Sequence, residues 1–112
     1  MERFAAAHCP KYHRAVEIIG RRWTGAILRV MLAGATRFSE IRAAIPEMSD
    51  KMLTERLREL EAENLVERVA RAEQGGRFEY RLTEMGWSLE PVLVTLGEWA
   101  DSWIKLDEPV GA

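Results

Sequence analysis

The 112-residue chain is short of several things. It has a single cysteine, Cys9, so an intramolecular disulfide and a cysteine-cluster metal site are both excluded. The neighbouring His8 and His13 add too few ligands at usual spacings, and no metal is expected. No apolar run reaches about 18 residues, which excludes a membrane-spanning helix. The opening Met1-Glu2-Arg3-Phe4-Ala5-Ala6-Ala7-His8 is too short and too interrupted for a signal peptide, so a cytoplasmic place is expected. Basic charge is also scarce. Sixteen Lys and Arg against eighteen Asp and Glu leave a formal charge of −2. Residues 37–81 hold nine basic and ten acidic side chains. A surface that attracts a polyanion must therefore arise by sorting charges onto separate faces. Phosphate-cradling glycine motifs and nucleophile–base sets are missing too. Cys9 with His13 is the one thinkable pair, and no orienting partner is visible. Neither catalysis nor a cofactor is expected.

What is present is a balance of 47% hydrophobic and 30% charged residues, ordinary for one globular domain spanning 1–112. No repeat, low-complexity run or linker interrupts it. So short a chain buries a modest core, and a core shared between two copies would help it.

Pro10 suits the first turn of a helix that Gly20 ends, with Ala15, Val16, Ile18 and Ile19 on its apolar face. Trp23 to Leu32 reads as a second helix, closed by Gly34. A short helix follows Arg37, with Phe38, Ile41 and Ile45 at helical spacing and Pro46 as its stop. Ser49 is a good N-cap for the next helix, and Asp50 suits its positive end. Leu53, Leu57 and Leu60 form a narrow apolar stripe, and Asn64 can close the helix in a left-handed cap.

The period then changes. Leu65–Arg71 alternates after its first residue, Gln74-Gly75-Gly76 signals a turn, and Arg77–Leu82 alternates again, so a β-hairpin is expected. Thr83 caps a long last helix whose stripe is Leu89, Val92, Leu93, Leu96, Trp99, Ala100 and Trp103; Pro91 should bend or split it. The fold class is mainly α with a small β-hairpin (α+β). Short helix, turn, polar helix and hairpin together make a winged helix-turn-helix.

With the leucines facing inward, about 100° per residue turns Lys51, Glu55, Arg58, Glu59 and Ala62 outward and leaves Met52, Thr54 and Arg56 on the flanks. A helix in the major groove reads bases with its N-terminal exposed residues. Lys51 can donate to guanine or phosphate, Thr54 can bond a base edge or touch a thymine methyl, and Glu55 can accept from cytosine N4. Ser49 and Arg58 complete this candidate surface. Arg71, Gln74 and Arg77 are candidate wing contacts to phosphate or minor groove, Arg77 foremost. Arg37 and Ser39 are candidate phosphate anchors at a helix start. The plainer alternatives are a surface helix laced by its own ion pairs, glycines that only make a turn, and arginines that keep an edge soluble.

Leu93, Leu96, Trp99 and Trp103 are read as dimer interface, where aromatics are enriched, with a tryptophan-lined small-molecule pocket as the competing idea. Cys9 stands at a helix start near Lys11, His8 and His13, a setting for a reactive thiol; the alternative is a small buried or capping residue.

These residues resemble the HxlR family of bacterial winged-helix regulators, relatives of the MarR type. The resemblance rests on Cys9-Pro10, Gly20-Arg21-Arg22-Trp23-Thr24 running into Ile27-Leu28, and Arg37-Phe38-Ser39-Glu40-Ile41. It continues through Met48–Thr54, Arg56–Glu61, Leu65–Arg68, Glu79–Thr83 and Gly86. It departs in the wing, where Gln74-Gly75-Gly76 stands in place of prolines common in the family. The resemblance implies a homodimer joined through helices at about 10–20 and 83–105, with a DNA-binding core at about 23–82. It implies a pseudo-palindromic double-stranded operator as partner and one recognition helix per half-site. It also implies, for some members, sensing of a small electrophile or oxidant through the cysteine before the proline, which here is Cys9. The expected function is transcriptional regulation, as a repressor. A winged-helix module that binds protein instead of DNA is the alternative, motivated by Glu55, Glu59, Glu61 and Glu63.

Overall fold

Local caps decide where the helices begin and end. The structure, a computed structural model, describes residues 7–71 and 77–107, with Arg77 described in its backbone alone. The described elements begin with helices α1 (Pro10–Ile19), α2 (Thr24–Leu32), α3 (Phe38–Ala44) and α4 (Asp50–Ala62). Strands β1 (Val66–Arg71) and β2 (Arg77–Leu82) follow, then the single turn α5 (Glu84–Trp87) and the long helix α6 (Glu90–Trp103). Pro10 lies in the first turn of α1, as its fixed φ and missing N–H favour. The Ser49 hydroxyl accepts from the Met52 N–H at 3.0 Å and satisfies one of the free donors at the head of α4. Asn64 takes φ 63°, and the Leu65 N–H returns to the Leu60 carbonyl at 2.9 Å, closing α4 in the left-handed cap expected.

One boundary differs from expectation. Trp23 is not the first residue of α2. It stands before the helix at φ 75°, with the Arg22 guanidinium 5.2 Å from its ring centroid, and its carbonyl accepts from Ile27. The C-terminal stretch is two helices, split as expected, with the break just before Pro91. Thr83 Oγ1 caps α5 by accepting from Gly86 at 3.1 Å, and Pro91 falls in the first turn of α6, where a proline fits.

The core gathers Ile27, Leu28 and Met31 of α2, Ile41 of α3, the α4 leucines 53, 57 and 60, and Leu65, Val66, Leu82 and Leu93. Burying a leucine side chain stabilises by roughly 1.5–3 kcal/mol, so the α4 stripe alone supplies a large share of the fold's driving force. Leu93 corrects an expectation. It is 4% exposed and belongs to this core, so the free face of α6 is the one carrying Leu96, Trp99 and Trp103.

The hairpin is antiparallel, in register from Val66 opposite Leu82 to Arg71 opposite Arg77. The Tyr80 N–H donates to the Thr36 carbonyl at 2.7 Å and ties β2 to the loop before α3. The two strands are not half-buried along their length. Val66 and Leu82 are covered, whereas Ala70 and Phe78, on the same face, are exposed, because the hairpin runs off the core as it leaves α4. On the other face Glu79 is buried.

Gly86 is required by space. A Cβ on Gly86 would stand 2.3 Å from the Leu65 carbonyl oxygen, where α5 is pressed onto the start of the hairpin. The same junction is fastened by Thr83, whose N–H donates to that carbonyl at 3.0 Å. Gly86→Ala should destabilise the fold by about 1–3 kcal/mol, as overpacking of a tight site does. Urea unfolding measures this, and an unchanged midpoint would show that the junction yields.

Candidate nucleic-acid interface

The exposed face of α4 follows from the buried one. Lys51, Glu55, Arg58 and Ala62 are all exposed, on the side opposite the leucine stripe. Thr54 is half-buried on the flank, and its hydroxyl donates to the Asp50 carbonyl at 2.8 Å. That proton is therefore engaged within the helix, which leaves the methyl group and oxygen lone pairs to meet a base. Ser49 is exposed, and its oxygen serves as the cap of α4.

The turn that aims α4 is held by a residue the sequence reading passed over. Arg42 of α3 pairs with Asp50 in the first turn of α4 at 2.7 Å, and its other nitrogen reaches the Ile45 and Pro46 carbonyls at 3.2 and 3.4 Å. One guanidinium thus bridges both helices and the backbone between them. Arg56 is the second omission. It was placed on a flank but is 8% exposed; its Nε donates to the Arg22 carbonyl at 2.9 Å and its Nη1 to both Glu59 oxygens at 2.9 and 3.1 Å. The Arg22 carbonyl lies 34 residues away in sequence, so only the folded arrangement reveals this contact.

The start of α3 corrects the phosphate-anchor expectation in part. Arg37 and Ser39 are both exposed, but the backbone donors there already have an anion. The Glu40 carboxylate accepts from the Arg37 N–H at 2.9 Å and the Thr36 N–H at 3.1 Å. Those two backbone bonds, Arg37's first, hold the Glu40 pKa below its ordinary value. The side chains of Arg37 and Ser39 remain exposed there.

In the wing, Arg71 is drawn inward. Its Nη2 donates to the buried Glu79 carboxylate at 2.7 Å and matches that charge toward the loop end of the two strands. Arg81 is exposed and 4.0 Å from the same carboxylate. Arg77 opens β2, opposite Arg71, with its side chain outside the described residues, as Gln74 and glycines 75 and 76 are altogether. On the other face Arg68 lies 5.1 Å from the Phe78 ring centroid and pairs with Glu61 at 2.8 Å. Tyr80 sits behind them; burial pushes its phenol pKa up, and the Glu61 carboxylate adds to that, so it stays neutral.

Charge sorting answers the acidic composition. Glu59 is taken by Arg56 and Arg21, Glu61 by Arg68, and Glu63 by Arg14. Three of the four glutamates that favoured a protein-binding module are thus matched by arginines from elsewhere in the chain.

Cys9 is exposed and immediately precedes α1. Its side chain makes no capping hydrogen bond, which disposes of the buried or capping alternative. The His8 and His13 rings lie 6.0 Å apart beside it, and among the described residues no group of three metal-ligating side chains assembles.

A family model described as HxlR-like helix-turn-helix matches residues 18–108. The chain belongs to that family. It is similar to YvaP of Bacillus subtilis, a helix-turn-helix-type transcriptional regulator, with 45% identity over 96 residues, covering 86% of this chain and 89% of that one. It is likewise similar to YodB of Bacillus subtilis, 41% identical over 102 residues, 91% of each chain. The reduced form of YodB superposes with a TM-score of 0.79 over 90% of this chain and 99% of that one, and YodB has also been solved quinone-bound. The redox regulator HypR in its oxidised form, 37% identical, gives 0.79 over 88% and 100%. The fold is thereby a winged helix-turn-helix. Among the described residues no helix is long and apolar enough to cross a membrane.

The Glu40 cap carries a pH signature. A carboxylate whose folded pKa lies below its unfolded value stabilises the fold above that unfolded value, and loses the effect as pH falls through the folded one. Below about pH 5 the wild type should therefore lose melting temperature more steeply than Glu40→Gln, whose amide keeps an acceptor and does not titrate. Parallel curves from pH 7 to pH 3 would show the cap to be inert.

Proposed function

We propose that this helix-turn-helix transcriptional regulator binds double-stranded DNA as a homodimer, reads base edges with the N-terminal half of α4, and represses a neighbouring gene until an electrophile or oxidant meets Cys9. The reading requires no catalytic step and places the protein with chromosomal DNA in the cytoplasm. The observation that carries it is the orientation of α4. Its leucines are buried, its acidic C-terminal half is matched by internal arginines, and Lys51, Glu55 and Arg58 stand exposed beside the Thr54 methyl. Arg37 and Arg77 are the flanking phosphate contacts in this reading, and Arg71 matches the Glu79 carboxylate toward the loop end of the wing strands.

Dimerisation is supported by what the protomer leaves uncovered. Tyr12 and Val16 of α1 and Leu96, Trp99 and Trp103 of α6 are exposed, the two tryptophans at 55% and 72%. α1 buries no residue at all. The radius of gyration is 16.7 Å, against about 13 Å for a compact domain of this length. These exposed side chains offer the apolar centre of an interface, of which a stable one covers roughly 800 Å² per partner. Two recognition helices related by a two-fold axis then meet half-sites about one DNA turn apart, roughly 34 Å.

The thiol response is supported by the exposure of Cys9 at the head of α1, and by the similarity to YodB, solved quinone-bound, and to the redox regulator HypR. With one cysteine per chain, the chemistry is alkylation, capping by a small thiol, or a disulfide between chains.

Two measurements test the reading. Binding to a duplex from the DNA upstream of its own gene should weaken steeply as salt rises, and Lys51→Ala should weaken it further, lowering the log–log salt slope by about 1 if Lys51 meets phosphate. Salt-independent binding, or none, would refute the DNA reading. Titration of the complex with benzoquinone should release DNA from the wild type and leave Cys9→Ser bound; equal release from both would remove the cysteine from the account.

A further inference from the structure

A cleft lies between α1 and the C-terminal half of α4. It measures about 470 Å³ and is walled by Ile18, Thr24 and Leu60. Beside it α1 buries no residue completely and reaches the core only through the partly buried Ile18 and Ile19. Charge spans the rest of the gap. Arg14 of α1 pairs with Glu63. Arg21, just after α1, pairs with Glu59 at 3.2 Å. Arg56 binds that same Glu59 and, through its Nε, the Arg22 carbonyl at 2.9 Å.

Residues 56, 59 and 63 fall on one stripe of α4, about 100° around the helix from the stripe of Lys51, Glu55 and Arg58. A stripe held at that angle resists rotation of α4 about its own axis. At the side-chain radius of a helix, a roll of 10° moves each group by about 1 Å, enough to strain the bonds that reach from α4 to Arg14, Arg21 and the Arg22 carbonyl. Arg56 is the firm point, since its side chain is 10% exposed and losing Glu59 would leave a buried cation unmatched. Arg14 and Arg21 are more than half exposed and form the yielding part.

We infer that this seam makes Arg14, Arg21, Arg56, Glu59 and Glu63 positioning residues: they fix the roll of the recognition helix against α1, and so set the half-site spacing the dimer accepts. The inference rests on the reading that α4 meets DNA and that α1 belongs to the dimer interface. One added base pair rotates a half-site by about 34° and shifts it by about 3.4 Å, further than a seam of short ion pairs can follow. A chain with the seam intact therefore discriminates between spacers, and a chain with it cut does not.

The test starts from an inverted repeat selected by the wild-type protein from a random duplex pool, then remade with the spacer one base pair longer and one shorter. Affinities for the three duplexes are measured for wild type, Arg14→Ala, Arg56→Met and the double exchange Arg14→Glu with Glu63→Arg. The ratio between the selected and altered spacers should fall by about threefold to tenfold in the two cut variants, in the range of couplings within one side-chain network. The exchange variant should regain most of it. Arg14 is exposed, so its variant keeps the fold even where Arg56→Met loses it, and melting curves identify that case. Equal weakening on all three duplexes, or a wild type indifferent to spacing, overturns the inference while leaving DNA binding intact. Selection of no duplex at all refutes the DNA reading itself.

Discussion

Leu53, Leu57 and Leu60 are buried almost completely, and a helix carrying so narrow an apolar stripe has one orientation in which all three leave water. That constraint settles which side of α4 faces outward before any charge is considered. Ser49 and Asn64 fix the two ends, and Arg42, bridging Asp50 and the turn carbonyls, fixes the approach angle from α3. The hairpin then leaves from the Leu65 junction, where Thr83 and Gly86 clasp the backbone. Position of the wing is thus a consequence of where α4 stops.

The second organising feature is the internal use of arginine. A chain with a formal charge of −2 cannot present a polyanion with a basic surface by composition. It matches its carboxylates one by one instead, Glu59, Glu61, Glu63, Glu79 and Asp50 each against a guanidinium. Several of these pairs are exposed and individually weak. Their joint effect is on the field around α4 and on the geometry of its neighbours, more than on stability.

Legibility in the sequence followed the range of the interaction. Caps, the leucine stripe, the helix-breaking Pro46 and Pro91 and the period change at Leu65 are local signals, and the fold they imply is the fold found. The exposed face of α4 was legible for the same reason, because periodicity alone turns Lys51, Glu55 and Arg58 outward. Arg42, Arg56 and Arg71 were not. Each acts on a partner eight or more residues away, and nothing in a local window distinguishes a bridging arginine from a solvated one. Leu93 was assigned to the outer stripe of α6 because helical spacing does not say which part of a broad apolar face meets its own core. Burial of Glu79 ran against the alternating pattern, since only the folded hairpin shows Arg71 beside it.

The uncovered faces of α1 and α6 and the buried stripe of α4 belong to one account, in which the core fixes the reading head and the outer helices set where two of them stand. Its central claim is that the N-terminal exposed face of α4 lies in the major groove. Photocrosslinking tests this most directly, with a probe on Glu55→Cys, or on Val94→Cys of α6 as control, each in a Cys9→Ser chain bound to its selected duplex. The account predicts crosslinks from position 55 to bases in two patches about one helical turn apart, and none from position 94. Base crosslinks from α6 with none from α4 would contradict it.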